Sequence, residues 1–327
     1  MSARTRVLLI VAAAAAAAAA IVVGATLATR SHPAKQRAAP VQLEPRKGAP
    51  PLVLDLGVRG DAAARAIRRA SVLYEAGKRA QAGAIFARYP DLNAQVGAAL
   101  SGWPTGTIER LQALAGAHPR SSVVRLNLGL ADFWAGKGPQ ALAAWRDALH
   151  ADPDSASAVH ADDLLHPGFP RGLPLFVPSF PSPSGLDKLP PGRQLAELGR
   201  RARARDVEAR LLYGAALQRV GRPVSAERAF ASAEALAPDD PEAQVAAAIG
   251  RFSKEHPERA FSRLGPLARR FPHATTVRFH LGLLLLWIGQ VDPARRELRQ
   301  AVKDGPATSL GREAALFLKR LRAVRTG

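Results

Sequence analysis

Along residues 59–327 apolar side chains recur at helical spacing in pairs of segments, and the small and bulky members of the pattern keep fixed distances from five prolines. Pro119 and Pro153 stand 34 residues apart, as do Pro238, Pro272 and Pro306 in turn. Twelve residues before each proline lie Thr107, Ala141, Ala226, Ala260 and Ala294; eight before lie Leu111, Trp145, Phe230, Leu264 and Leu298. Twenty-four before, Gly129, Gly214, Ala248 and Gly282 are small, with Gln95 the exception. Small residues let two helices cross closely, a large apolar residue fills the space beside the crossing, and proline stops the second helix. The pattern predicts helix pairs over 88–121, 122–155, 207–240, 241–274 and 275–308.

The unit at 122 is the most regular, with Leu128, Gly129, Gly136, Ala141, Trp145, Ala148 and Pro153 in phase. The unit at 275 matches it with Leu281, Gly282, Gly289, Ala294, Leu298, Ala301 and Pro306. In the unit at 88, Trp103-Pro104 predicts an abrupt turn between helices. Before it, residues 61–90 read as an out-of-phase helix pair turning at Gly77, with Ala82 and Phe86 spaced as in the other units. After Pro306, residues 309–327 read as one amphipathic helix with Leu316, Leu318 and Leu321 among basic residues, suited to cover the open end of the stack.

The period and the residues that keep it resemble the tetratricopeptide repeat family. The resemblance implies an all-α fold, a right-handed superhelical solenoid of helical hairpins, whose concave surface is lined by the first helix of each unit and receives partners, often peptides. Carried over by position, the groove comprises Leu126, Asn127, Leu130 and Phe133 from the unit at 122, Leu211, Ala215 and Gln218 from 207, and Phe279, His280, Leu283 and Leu286 from 275. In the family an asparagine at the place of Asn127 often bonds the backbone of a bound peptide. The groove so read is mostly apolar, and no lysine and arginine clamp for a C-terminal carboxylate stands in it.

The block 156–206 departs from the pattern. It holds one helix, 193–204, placed as the second of a pair whose partner is missing. In the partner's place stands HPGFPRGLPLFVPSFPSPSGLDKLPP, too rich in proline for helix and, with Phe169, Phe176, Val177 and Phe180, too apolar for a solvated linker. One reading lays it as a fixed strip across the repeats, filling the slot of the absent helix. The other makes residues 168–191 mobile, gating the groove or serving as a proline-rich ligand. The stretch 162–181 is similar to segments of bacterial envelope proteins of the same repeat class, a likeness that carries no biochemical assignment.

At the N-terminus, a six-residue tail precedes residues 7–29, twenty-three residues without a charge. At about 1.5 Å per residue such a helix crosses the roughly 30 Å hydrocarbon layer. The reading is a single-pass transmembrane anchor; the alternative is a cleaved signal peptide with Thr26-Leu27-Ala28 as its site. Arg4 and Arg6 before it and Arg30, Lys35 and Arg37 after it leave the positive-inside rule undecided. A short tail before a long domain points to an extracytoplasmic domain. Residues 30–58 then read as a flexible linker holding the repeats away from the membrane.

Composition narrows the chemistry. The chain has 327 residues, 47% apolar but only 6% aromatic, with alanine supplying much of the apolar share, which suits closely packed helices. The absence of cysteine removes disulfides and thiol catalysis. A net charge of +19 could draw anionic lipid or wall polymer, or reflect arginine as the default surface residue; an exported domain disfavours nucleic acid. His160, Asp162, Asp163 and His166 are metal-compatible side chains at a spacing that points them apart on a helix. With no phosphate loop, nucleophile elbow or carboxylate pair, no catalytic, cofactor or metal residues are assigned. The expectation is a membrane-anchored scaffold binding a protein or peptide in an envelope assembly. Alternatives are a polyanion-binding adaptor and a substrate-presenting subunit of a system such as cytochrome c maturation. Oligomeric state is left open.

Overall fold

The structure, a computed structural model, describes residues 44–323, and every regular element among them is helical: fifteen α-helices and one 3-10 turn. The segment 7–29 lies outside the described residues, and no helix among those described is long and apolar enough to cross a membrane. The described chain forms two compact units, one of residues 44–165 with 220–222 and one of 166–219 with 223–323.

The first unit contains α1 (Ala62–Glu75), α2 (Arg79–Phe86), α3 (Leu92–Ser101), α4 (Thr107–Ala117), α5 (Ser122–Trp134), α6 (Gly138–Ala151) and α7 (Ala156–Leu165), each packed on its neighbours in sequence. Side-chain caps start several of them: Asp61 accepts from Ala64 N–H, Asp91 from Asn93 N–H and Ser121 from Val124 N–H. Gly77 and Gly136, at φ 77° and 78°, make the left-handed turns that reverse α1 into α2 and α5 into α6. In the unit at 88 the reversal runs through a cis Trp103–Pro104 peptide, and Thr107, where the other units have alanine, is buried with its hydroxyl donating to Ala99 O at 3.0 Å.

The second unit contains the 3-10 turn Leu186–Lys188, then α8 (Pro191–Arg201), α9 (Val207–Arg219), α10 (Pro223–Leu236), α11 (Pro241–Gly250), α12 (Glu258–Arg270), α13 (Thr275–Trp287), α14 (Val291–Asp304) and α15 (Ser309–Ala323). The small-and-large code does what the spacing predicts. A side chain at Gly129 would overlap the Trp145 ring, one at Gly214 the Phe230 ring, and one at Gly282 would reach within 2.8 Å of Leu298 Cγ. In the unit at 88 the glycine, Gly97, faces the preceding hairpin instead, where an added Cβ would meet Phe86 at 2.7 Å. The five periodic prolines all fall just beyond the ends of α4, α6, α10, α12 and α14.

Three expectations change. A helix, α7, exists where 156–206 was expected to hold only one; Ser155 caps it at Ala158 N–H, and the small residues Ser157, Ala158 and Ala161 let it sit closely on α5 and α6. Small contact residues followed by the polar HADDLLH leave no apolar periodicity to detect. The linker assigned to 30–58 is not free over 49–56: Pro50, Leu52 and Leu56 are buried in the first unit's core. On α15, Leu316 faces solvent at 47% exposure, while Leu310, Ala314, Phe317 and Leu318 cover α13 and α14.

Gly214→Ala is expected to destabilise the protein by about 1–3 kcal/mol through overpacking against Phe230. Gly116→Ala, in the last turn of α4 with nothing within 4 Å, should stabilise it by up to about 1 kcal/mol. Urea midpoints of the two variants should move in opposite directions.

Candidate binding grooves

An α-helix uses up its own main-chain donors and acceptors along its length, so an extended segment laid across helices must find partners among side chains. In the first unit that segment is residues 49–56. Val53 N–H donates to Asn127 Oδ1 at 3.0 Å, and Asn127 Nδ2 returns a bond to Val53 O at 2.7 Å while also reaching Val123 O at 2.7 Å. Two residues on, Asp55 N–H donates to Asn93 Oδ1 at 2.7 Å, and Asn93 Nδ2 donates to Asp55 O at 3.3 Å. Alternate residues facing one side are the mark of an extended chain.

Apolar contacts hold the same strip. Leu52 and Leu56 join Ile67, Tyr74, Val96 and Leu100 in one cluster, and Val53 packs against the cluster of Leu126, Leu130, Ala141 and Trp145, to which Phe133 also belongs. Tyr74 Oη donates to Pro50 O at 2.7 Å and Trp103 Nε1 to Gly48 O at 3.1 Å. Farther back, the Arg46 guanidinium lies 4.2 Å from the Phe133 ring centroid, and the Arg46 main-chain N–H donates to Trp134 O at 2.8 Å.

The second unit repeats the arrangement with residues 169–180. Phe176 N–H donates to Gln218 Oε1 at 2.9 Å, and Gln218 Nε2 lies 3.4 Å from Pro174 O. Val177 N–H donates to His280 Nε2 at 3.0 Å, whereas His280 Nδ1 sits 2.8 Å from Thr276 O. Those partners set the tautomer: the proton is on Nδ1, and Nε2 accepts. Ser179 donates from N–H and Oγ to the two carboxylate oxygens of Glu242, and Ser309 Oγ donates to Ser179 O at 2.9 Å. The Phe176 ring is fully buried, edge-on to Phe230 at 5.4 Å and stacked on the His280 ring at 5.2 Å.

Burial shifts both titratable partners. The fully buried His280 imidazole is pushed down to about 4 by loss of water, against which the Thr276 carbonyl acts. Burial raises the Glu242 carboxyl, an effect opposed by the Ser179 bonds.

Most of the groove residues expected from sequence therefore surround these strips. Leu126, Asn127, Leu130 and Phe133 surround the first; Leu211, Ala215, Gln218 and His280 surround the second, and Leu283 and Leu286 share a cluster with Val177. Phe279 is fully buried and edge-on to Phe317 of α15, a core position. The strip expected at 168–191 occupies the groove face of the first helices, and not the slot of a missing helix. Sequence reasoning missed Asn93, Glu242 and Ser309. A signal existed for Asn93, which precedes Asn127 by one 34-residue period. No group of three or more histidine, aspartate or glutamate side chains among the described residues could hold a metal ion, those on α7 included.

The fold is similar to solved tetratricopeptide repeat structures at low identity. A repeat protein from Parabacteroides merdae is 14% identical, with 80% of this chain and 100% of that one covered and a TM-score of 0.33. A thermophilic protein from Thermus thermophilus is 20% identical over 58% of this chain and 98% of that one, with a TM-score of 0.27. The TPR2AB domain of yeast Sti1 is 14% identical over 80% and 98%, with a TM-score of 0.30. No family model and no curated protein matches the sequence.

Asn127→Leu keeps the volume but strands the half-buried main-chain groups of Val53, and should cost about 1–3 kcal/mol by chemical denaturation. Amide exchange at Val53 and Asp55 should quicken more than in the α13–α14 hairpin.

His280 sets a pH dependence of definite sign. Between its unfolded value near 6.5 and its folded value near 4, the unfolded chain binds a proton that the folded chain does not. Its stabilising share is therefore whole above pH 6.5 and is lost as pH falls toward 4, on the order of 3 kcal/mol. Glu242, raised in the fold, acts oppositely in the range just above its ordinary value. The measurement is accordingly a comparison: His280→Gln, which can accept from Val177 without titrating, should flatten the loss of stability between pH 7 and 4. Parallel curves for the two proteins would refute it.

Proposed function

We propose that this protein is a membrane-anchored scaffold of the tetratricopeptide class, whose helical hairpins wind into a right-handed superhelix and whose grooves hold extended segments of partner proteins. Residues 7–29 serve as a single-pass anchor, and the helical units work on the outer face of a bacterial inner membrane, where partners of an envelope complex are brought together. No catalytic step is assigned to it.

One observation carries this reading: Asn93, Asn127, Gln218 and His280 bond the main chain of an extended segment, while apolar side chains beside them receive its side chains. Main-chain recognition supplies affinity for any extended segment, and the apolar pockets choose among sequences. Asn127 and Asn93 each engage both the N–H and the C=O of one extended residue, a pairing that matches a peptide main chain, so the groove chemistry favours a protein partner over a polyanion.

Selection of a random peptide library on the full-length protein should enrich extended apolar sequences, and their binding should fall at least tenfold with Asn127→Leu. Binding that ignores this substitution but collapses between 50 and 200 mM salt would transfer the function to the basic surface. A reporter fused after Gly327 tests the topology: activity only in the cytoplasm would reverse the orientation.

A further inference from the structure

Two four-residue runs share one pattern, Pro51-Leu52-Val53-Leu54 and Pro174-Leu175-Phe176-Val177: proline, leucine and two apolar residues. They are the central parts of the two groove strips. In each, the third residue gives its N–H to a carboxamide oxygen of a first helix, Val53 to Asn127 at 3.0 Å and Phe176 to Gln218 at 2.9 Å. In each, that residue's side chain enters the cluster containing the fifth and ninth residues of a repeat: Leu126 and Leu130 for Val53, Leu211 and Ala215 for Phe176. The leading proline has no N–H to leave unsatisfied and fixes φ near that of an extended chain.

Chain direction is not shared. The first strip runs from the unit at 122 back to the unit at 88, through Asn127 and then Asn93, whereas the second runs forward from Gln218 at 207 to Ser309 on α15. What recurs is the tetrapeptide and the response of the first-helix face to it. Two solutions that share the tetrapeptide and a carboxamide partner for its third N–H, from the sixth residue of one unit and the twelfth of the other, indicate a preference of the first-helix face.

We infer that the first groove is a site for an extended Pro-Leu-apolar-apolar segment of a partner protein, and that residues 49–56 hold the place of that segment until exchange. This rests on the peptide-binding reading above and names its ligand. The first strip is the exchangeable one by connectivity. Among the described residues it joins a helix only through the turn 57–60, which leads into α1, and residues 44–48 before it are exposed. The second is bounded by α7 at Leu165 and α8 at Pro191, so it can leave only as a closed loop. A tethered strip competes at an effective concentration on the order of millimolar, so the intact chain holds a free peptide far more weakly than one whose strip has been severed.

The test uses the full-length protein with a protease site inserted between Val58 and Arg59, and fluorescent peptides of residues 48–57 and 171–180. After cleavage both peptides should bind the first groove, at least tenfold more tightly than before cleavage. N-methylation of the residue matching Val53, which removes its N–H, should weaken the 48–57 peptide at least tenfold. Binding of the 48–57 peptide alone would overturn the shared-motif inference and leave the peptide-binding reading standing; binding of neither would remove both. Should cleavage cost helical content, the intact protein is given millimolar peptide, and amide exchange is read at Val53 and Asp55. Faster exchange with both peptides supports the inference, and unchanged exchange overturns it.

Discussion

The constraint on which the rest of this structure depends is that helices offer a crossing chain no main-chain partners. Every peptide group of residues 49–56 or 169–180 that enters an apolar groove loses water, and an unpaired one costs about 1–3 kcal/mol. Strand pairing, the usual remedy, is absent among the described residues, where no strand occurs. Side-chain carboxamides replace it. Asn93, Asn127 and Gln218 each carry an acceptor and a donor on one planar group, so each can satisfy both the N–H and the C=O of a passing chain.

Magnitudes divide the labour. Fully burying a side chain such as Phe176 or Leu52 contributes roughly 1.5–3 kcal/mol, whereas one neutral hydrogen bond contributes about 1 kcal/mol net. Apolar burial therefore holds the strips in place, and the carboxamides set their register, because a shift by one residue would strand both groups of Val53 and turn its side chain away. Asn93 and Asn127 lie one repeat apart and grip residues two apart. Two extended residues span about 6.7 Å, a little under the 8–10 Å between packed helix axes, a difference within asparagine's reach.

Helix pairing was legible from the spacing of Gly129, Gly214 and Gly282 against Trp145, Phe230 and Leu298, since each of those contacts lies within one hairpin and is written at a constant interval. Asn127 was legible as a backbone-binding residue through the family resemblance. The strip at 49–56 was not: four prolines in the twelve residues 40–51, set among basic and small residues, read as a linker, and nothing local shows that an apolar surface waits for Leu52 and Leu56. Helix α7 escaped for a related reason, because its contact face is made of serine and alanine, whose value lies in closeness to α5 and α6 and not in hydrophobicity.

By itself, then, the sequence determined where the helix pairs of the five periodic units lie and where they stop, because prolines and the small-to-large code act over at most one repeat. Only the tertiary structure decided what fills the grooves. Pairing Val53 with Asn127 or Val177 with His280 joins residues 74 and 103 positions apart. Such contacts follow from the shape that the helices make together, and an extended segment carries no periodicity of its own to announce which surface will take it.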